Sequence, residues 1–186
     1  LTLLYIIGIA DDLIGVRYRQ KFLVQIFAAV LFPLAGLYIN NLYGLMGIYY
    51  ITPYIGIPLT MLLVVFLTNA INLIDGVDGY SSGYCIMACF IFGVIFYIAG
   101  DVSMVMLASV CAASLIPFFL HNVFGLTSKM FIGDGGTLVM GIVMSIFVLN
   151  MLKTDTYCAL YESWGMGLVP LSLAVLSIPV FDTIRV

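Results

Sequence analysis

Apolar residues gather in seven runs along the chain, 1–10, 22–39, 57–74, 83–99, 103–120, 136–152 and 165–182, with short polar or glycine-rich stretches between them. Six of these approach the roughly 20 residues that a helix needs to cross a bilayer, and the first is half a span. The runs are apolar on all sides, with Gly, Ala and Ser scattered through them, a pattern of packed transmembrane helices rather than strands. The predicted fold is therefore all-α, a polytopic transmembrane bundle of about seven spans. It forms one integral membrane domain over residues 1–186, with no internal repeat.

One place breaks the apolar pattern. Asn69, Asn72, Asp75 and Asp78 recur every third residue after the run from Ile57 to Leu67. Residues three apart share a helix face, so the first three predict a polar stripe at the end of a membrane helix. Gly76 and Gly79 then end the helix and let backbone approach a ligand. Polar groups in hydrocarbon are costly, and such a stripe points to function.

Counting crossings assigns the connections to sides. Loops 11–21, 75–82 and 121–135 and the end from Asp182 share one side, and carry five of the six basic residues (Arg17, Arg19, Lys21, Lys129, Arg185). The positive-inside rule makes that side cytoplasmic. It also carries Asp11, Asp12, Asp75, Asp78, Asp134 and Asp182, six of the nine acids. Acidic stretches far apart in sequence are thus expected to meet at one face.

Composition narrows the class further. Of 186 residues, 64% are hydrophobic and 8% charged, against about 25% charged in a soluble domain. The net charge of -3 includes no basic patch for nucleic acid. Cys85, Cys89, Cys111 and Cys158 lack metal-ligand spacing and read as packing residues. The chain starts at Leu1 within a half-span and stops at Val186 just after a helix, so it reads as an internal piece of a larger membrane protein.

Several stretches carry candidate chemistry. Asp11-Asp12 at a helix C-terminus is opposed by the helix dipole and by mutual repulsion, which a divalent cation or cationic group would relieve; a solvated loop start balanced by Arg17, Arg19 and Lys21 is the alternative. Lys21 and Gln25, one turn apart, suit an anionic headgroup or phosphate, or serve as an anchor. Asn122 precedes Phe-Ile-Gly-Asp-Gly-Gly-Thr (131–137), whose glycines expose backbone N–H groups at a helix start, a geometry that suits phosphate, while Asp134 suits a metal. His121, Trp164 and Tyr38, Tyr49, Tyr50, Tyr54, Tyr157 and Tyr161 read as interfacial residues, and Asp182 as solvated. Carboxylates and amides at a membrane surface suit a hard cation such as Mg²⁺ shared with phosphates, with one lipid and one soluble substrate.

These residues resemble the polyprenyl-phosphate N-acetylhexosamine-1-phosphate transferases, glycosyltransferase family 4, the WecA/TagO and MraY superfamily. The matching stretches are Gly8-Ile-Ala-Asp-Asp-Leu-Ile-Gly15 with Lys21 to Gln25, Asn69 to Gly79, Asn122, Phe131 to Thr137, and Ile178-Pro-Val-Phe-Asp-Thr-Ile-Arg185. The resemblance implies transfer of N-acetylhexosamine-1-phosphate from a UDP-amino sugar to a polyprenyl phosphate lipid such as undecaprenyl phosphate. UMP is released, with Mg²⁺ or Mn²⁺, in the first membrane step of cell-envelope polysaccharide synthesis. It places the protein in a bacterial inner membrane with its active site on the cytoplasmic face, and allows a homodimer. Carried over by position, Asp11, Asp12, Asp75 and Asp78 are catalytic, Asp11 as the base and Asp75 and Asp78 shaping the nucleotide site. Lys21, Asn69, Asn72, Asn122 and Gly133 bind substrate, and Asp134 and Asn72 hold the metal. The short connection from Asp12 to Lys21 is similar to the WecA/TagO branch and favours UDP-GlcNAc over the MraY substrate. Gly135 stands where the family often has Ser. The family's first spans and its C-terminal His-rich loop are missing, which implies an active parent and an inactive piece. The rivals are an ion-coupled transporter, which predicts mid-membrane acids and inverted repeats, a CDP-alcohol phosphotransferase, which predicts one compact acidic motif, and a membrane piece that only packs.

Overall fold

The computed structural model describes residues 1–76, 79–125, 132–153 and 167–185. Among the described residues, seven α-helices occupy the seven apolar runs: α1 (Thr2–Ile14), α2 (Tyr18–Leu34), α3 (Pro53–Leu73), α4 (Tyr80–Ile98), α5 (Val102–Phe124), α6 (Gly133–Lys153) and α7 (Leu168–Arg185). Among the described residues, four segments are long and apolar enough to cross a membrane: Pro53–Gly76, Tyr80–Ile98, Val102–Phe124 and Gly133–Leu152. The fold is the expected polytopic helical bundle.

Two local features depart from the hydropathy pattern. Helix α2 ends at Leu34, before the apolar run does. Gly36 takes φ 73, and the Leu37 N–H bonds back to the Phe32 carbonyl, so a left-handed glycine closes the helix. The following connection holds an antiparallel hairpin, β1 (Asn41–Leu45) and β2 (Ile48–Tyr50), where only a loop was predicted. Its two-residue turn is Met46-Gly47, both with positive φ (53 and 78), the backbone that joins twisted strands tightly. Tyr43 of β1 donates its hydroxyl to the Leu152 carbonyl at 2.8 Å, which ties the hairpin to the end of α6. Tyr49, Tyr50 and Tyr54 are exposed, in keeping with interfacial residues. Tyr157, Tyr161 and Trp164 lie outside the described residues.

Helix α6 is the enclosed centre. Of its membrane-length stretch 78% is buried, against 11% for α5 at the periphery. Phe147 of α6 meets Phe92 and Phe96 of α4 with ring centroids 5.6 and 5.3 Å apart. Small residues bring α6 close to its neighbours: a Cβ added at Gly8 would overlap Gly135 backbone, and one at Gly141 would overlap Thr68 Cα. Membrane helices gain their attraction from such contact, since lipid is as apolar as the side chains. Buried hydroxyls at Thr60, Thr68 and Ser145 bond to the carbonyl one turn back, so no donor is stranded.

The helices alternate in direction, and the candidate residues fall at one end. Lys21 at the start of α2 reaches Asp11 of α1, Asn72 of α3 and Asp134 of α6. Gly79 before α4 abuts Val123 of α5, and Tyr80 faces Asp182 of α7. Asp101, the N-cap of α5, lies at the opposite end of that helix. Among the described residues, Asp11, Asp12, Asp75 and Asp134 gather at one end of the bundle and not at mid-membrane, an arrangement that the transporter reading does not predict.

A Gly141→Val substitution places a branched side chain against the Thr68 backbone and is expected to destabilise the bundle by about 1–3 kcal/mol, an overpacking effect. Gly93→Ala, whose new methyl would meet Ala108 Cβ at an ordinary 3.4 Å, is the tolerated control. Thermal unfolding in detergent measures both; equal melting temperatures would contradict the close α3–α6 contact.

Candidate active site

Four helix ends build the site. In α1, Asp11 and Asp12 occupy the last turn, and Gly15 with φ 69 ends the helix while its N–H bonds to the Asp11 carbonyl. The chain turns at once into α2, whose first turn carries Lys21. Lys21 Nζ donates to Asp134 Oδ2 at 2.6 Å, to Asp11 Oδ2 at 3.0 Å and to Asn72 Oδ1 at 3.3 Å. An ammonium has three protons, and all three find oxygen. Asn72 is used as completely, since its Nδ2 donates to Asp134 Oδ1 at 2.6 Å and to Thr137 Oγ1 at 2.8 Å. Thr137, fully buried, returns its own proton to the Gly133 carbonyl at 3.0 Å.

The start of α6 is held by carboxylates. Asp12 accepts the Asp134 N–H at 3.1 Å and the Gly135 N–H at 3.5 Å. Asp75, in a 3-10 turn (Ile74–Gly76) that extends α3, accepts the Gly133 N–H at 3.1 Å. The Ser81 hydroxyl of α4 donates to the other Asp75 oxygen. The first N–H groups of a helix lack partners within it and carry partial positive charge, and here the chain supplies the anions itself. The glycine-rich start expected to suit phosphate is thus taken up by Asp12 and Asp75. Gly133 is required there on two counts: its φ is +74, and a Cβ would come within 2.8 Å of Asp12 Oδ2.

Gln25 and Asn69 meet one turn deeper. Asn69 Nδ2 donates to Gln25 Oε1 at 2.7 Å and to the Val65 carbonyl at 2.8 Å, while Gln25 Nε2 donates to Asn69 Oδ1 at 3.3 Å. Gln25 is buried, so this amide pair joins α2 to α3 inside the bundle and does not face a headgroup. Asn122 is buried at the end of α5, next to Val123, which packs on Gly79. Asp78 lies outside the described residues. The predicted residues Asp11, Asp12, Lys21, Asn72, Asp75, Gly133 and Asp134 are therefore linked in one hydrogen-bonded network, with Asn69 a turn below. Thr137 and Ser81 join that network without having been singled out. Thr137 stands three residues after Asp134, on the same helix face, which is the signal that marks it.

Charge follows from this geometry. The Asp11 carboxyl is held down at about 2, chiefly by a hydrogen bond shared with Asp134 and then, against the opposing effect of burial, by Lys21 and the Val16 N–H. Burial works to lower the Lys21 pKa, and its bonds to Asp134 and Asp11 outweigh that and raise it. Asp11 is in this arrangement a weak proton acceptor and the ionic partner of Lys21. Among the described residues no three His, Cys, Asp or Glu side chains gather as a metal cage. What converges is a mixed set, Asp11 Oδ2, Asp134 Oδ2 and Asn72 Oδ1, directed at one cationic centre. An all-oxygen set of this kind fits a hard cation such as Mg²⁺, which keeps waters and phosphate oxygens in its remaining positions.

Two outcomes are expected. Thr137→Val leaves the Asn72 amide one acceptor short and lowers stability by about 1–3 kcal/mol, whereas Thr137→Ser preserves it; melting curves of the two variants compare them. Asp11 has a folded pKa of about 2 below its ordinary 3.8, so its contribution to stability is complete above 3.8 and is lost as pH falls through about 2. Asp11→Asn should flatten that acid limb in a pH series of melts, and an unaltered limb would count against the contacts of Asp11 with Asp134 and Lys21.

Comparison with known proteins bears on this geometry. The model of the family "Glycosyl transferase family 4" matches residues 1–152. A probable undecaprenyl-phosphate N-acetylglucosaminyl 1-phosphate transferase from Bacillus subtilis (strain 168) is 31% identical, the match covering 97% of this chain and 48% of the relative. A phospho-N-acetylmuramoyl-pentapeptide-transferase from Staphylococcus carnosus (strain TM300) is 31% identical over 73% of this chain and 46% of its own. One from Streptococcus pneumoniae serotype 2 is 27% identical over 91% and 51%. The chain spans about half the length of these relatives. With 152 of its 186 residues matched by the family model, and with Asp11, Asp12, Asn72, Asp75 and Asp134 brought together, the chain belongs to glycosyl transferase family 4.

Proposed function

We propose that this protein transfers N-acetylhexosamine-1-phosphate from a UDP-sugar to polyprenyl phosphate. The observation that carries this reading is the convergence of Asp11, Asn72 and Asp134 on Lys21 at one end of an apolar bundle. A lipid phosphate confined to the membrane surface and a soluble nucleotide can both reach such a place. An oxygen of the lipid phosphate attacks the β-phosphorus and forms a new P–O bond. The bond from that phosphorus to the bridging oxygen breaks, and UMP leaves with the electron pair. Two anionic substrates must approach each other, so positioning and charge neutralisation supply most of the catalysis.

The residues divide the work. Lys21 meets phosphate oxygens with a mobile ammonium. Asp134 and Asn72, with Asp11 beside them, would hold a Mg²⁺ or Mn²⁺ ion, which when bound neutralises pyrophosphate charge and polarises the phosphorus. Asp12 and Asp75 set the start of α6 and thereby aim Asp134. Asn69, paired with Gln25 one turn below Asn72, steadies the α2–α3 side of the site, Asn122 at the end of α5 is a further candidate for substrate binding, and Asp78 belongs to the same motif as Asp75. Asp11 is the candidate base once its partner moves to substrate. Five of the six basic residues lie on this side by parity, which supports a cytoplasmic site in a bacterial plasma membrane. The likeness to the B. subtilis protein and the short 11–21 connection support UDP-GlcNAc as donor and undecaprenyl phosphate as acceptor. The likeness to the two pentapeptide transferases supports UDP-MurNAc-pentapeptide as the second donor to try.

The test uses the full-length protein with undecaprenyl phosphate, Mg²⁺ and each labelled donor, following UMP and lipid-linked sugar. Transfer from UDP-GlcNAc is expected, lost with EDTA and restored by Mg²⁺; no transfer from any UDP-amino sugar would overturn the reading. Asp134→Asn is expected to lower turnover about a hundredfold or more with an unchanged elution profile. Near-normal turnover would remove Asp134 from the metal site.

A further inference from the structure

The three oxygens around Lys21 Nζ come from three different helices, α1, α3 and α6, and each belongs to a side chain anchored by its other polar atom. Asp11 Oδ1 accepts the Val16 N–H at 2.7 Å, Asp134 Oδ1 accepts Asn72 Nδ2 at 2.6 Å, and Asn72 Nδ2 also reaches Thr137 at 2.8 Å. The oxygens left over, Asp11 Oδ2, Asp134 Oδ2 and Asn72 Oδ1, face a common point, and a cation fills it here. Of these, the Asp134 and Asn72 oxygens are the donors that the proposed function gives to the divalent ion, with Asp11 beside them. An ammonium and a divalent cation cannot share that point, because like charges a few ångströms apart repel strongly away from bulk water.

We propose that Lys21 is a positioning residue for the cation site: in the metal-free protein its ammonium holds the Asp11, Asn72 and Asp134 oxygens at the place the ion takes, and the ion displaces it on entry. The inference rests on the metal part of the proposed function. Without a counter-charge the Asp11 and Asp134 carboxylates would repel across the α1–α6 contact. Among the described residues these two ion pairs are the salt bridges of the chain, both made by Lys21, while Arg17 and Arg19 are exposed. The Lys stem is flexible, and the side chains of Lys21 and Asp134 retain 15% and 31% exposure, so solvent reaches the pair and the stem can carry the ammonium toward it. Displacement would turn the freed charge toward arriving anions, so that entry of the metal prepares the site for phosphate.

The test reads metal binding directly, in the full-length protein in detergent. Mn²⁺ titrations followed by electron paramagnetic resonance compare wild type with Lys21→Met and Lys21→Arg. Lys21→Met is expected to bind Mn²⁺ about tenfold or more tightly, having no ammonium to displace, and Lys21→Arg to stay near wild type. Lys21→Met should also melt lower than wild type without metal and recover more of its melting temperature when Mg²⁺ is added. A purely structural lysine would instead lower both melting points equally. The wild-type protein gives an independent measurement should Lys21→Met not fold. Acylation by an N-hydroxysuccinimide ester, located by mass spectrometry, should rise severalfold at Lys21 on addition of Mn²⁺. Wild type binding Mn²⁺ with Lys21→Met no tighter, or with Lys21 acylation unchanged, would overturn this proposal alone. No Mn²⁺ binding by either protein would overturn it together with the metal part of the proposed function.

Discussion

The ammonium of Lys21 is the constraint on which the arrangement of the site depends. Two carboxylates and an amide from helices that are remote in sequence are drawn to one nitrogen, and the contact is largely shielded from water. Removing charged groups from water costs several kcal/mol each unless the partners are close and their remaining lone pairs are satisfied. Here they are, because Val16, Asn72 and Thr137 complete the set. The interaction is directional as well as charged. Lys21 lies three residues into α2, so the direct turn from α1 at Gly15 decides that the ammonium comes back across the end of α1 and does not point away from the bundle.

Packing brings the partners within that reach. Helices α3 and α6 run antiparallel and approach closely at Thr68 and Gly141. One turn toward the site from that contact, Asn72 on α3 stands opposite Thr137 on α6, and one further turn of α6 brings Asp134. Helix α1 uses the same device: Gly8 lies on Gly135, and Asp12, one turn on, reaches the N–H groups at the start of α6. Since residues a turn apart share a face, a glycine contact in the apolar interior sets the register of the polar pairs at the end. The site is thus a consequence of how closely membrane helices pack, and slippage by a turn would separate every pair at once.

Much of this was legible in residue order. Seven apolar runs became seven helices, and the three-residue recurrence of Asn69, Asn72 and Asp75 placed them on one face. Parity alone put Asp11, Asp12, Asp75 and Asp134 at one end. What could not be read was the pairing. Hydropathy and spacing do not say that Lys21 would meet carboxylates before any phosphate, or that Gln25 would find Asn69, because both depend on which helices become neighbours. The hairpin at 41–50 escaped because Met46-Gly47 is a weak form of its turn signal, without the Asn or Asp that usually opens it. Gly36 escaped because an apolar run continues past it, although a left-handed glycine stops a helix whatever the hydropathy around it.

The start of α6 sharpens what the site can ask of a phosphate. A helix N-terminus with exposed N–H groups is a general device for holding anions, and the glycines at 133, 135 and 136 look made for it. Yet the N–H groups of Gly133, Asp134 and Gly135 are already bonded to Asp75 and Asp12. An incoming phosphate would have to displace a carboxylate from them, leaving that carboxylate without its partner close to its own charge. The dipole of α6 is therefore spent on ordering Asp12, Asp75 and Asp134. Attraction for phosphate then falls to mobile positive charge, the Lys21 ammonium and any bound cation. In such a site the glycines serve precision, by letting two carboxylates reach the backbone, and recognition of the anion is left to the groups that can move.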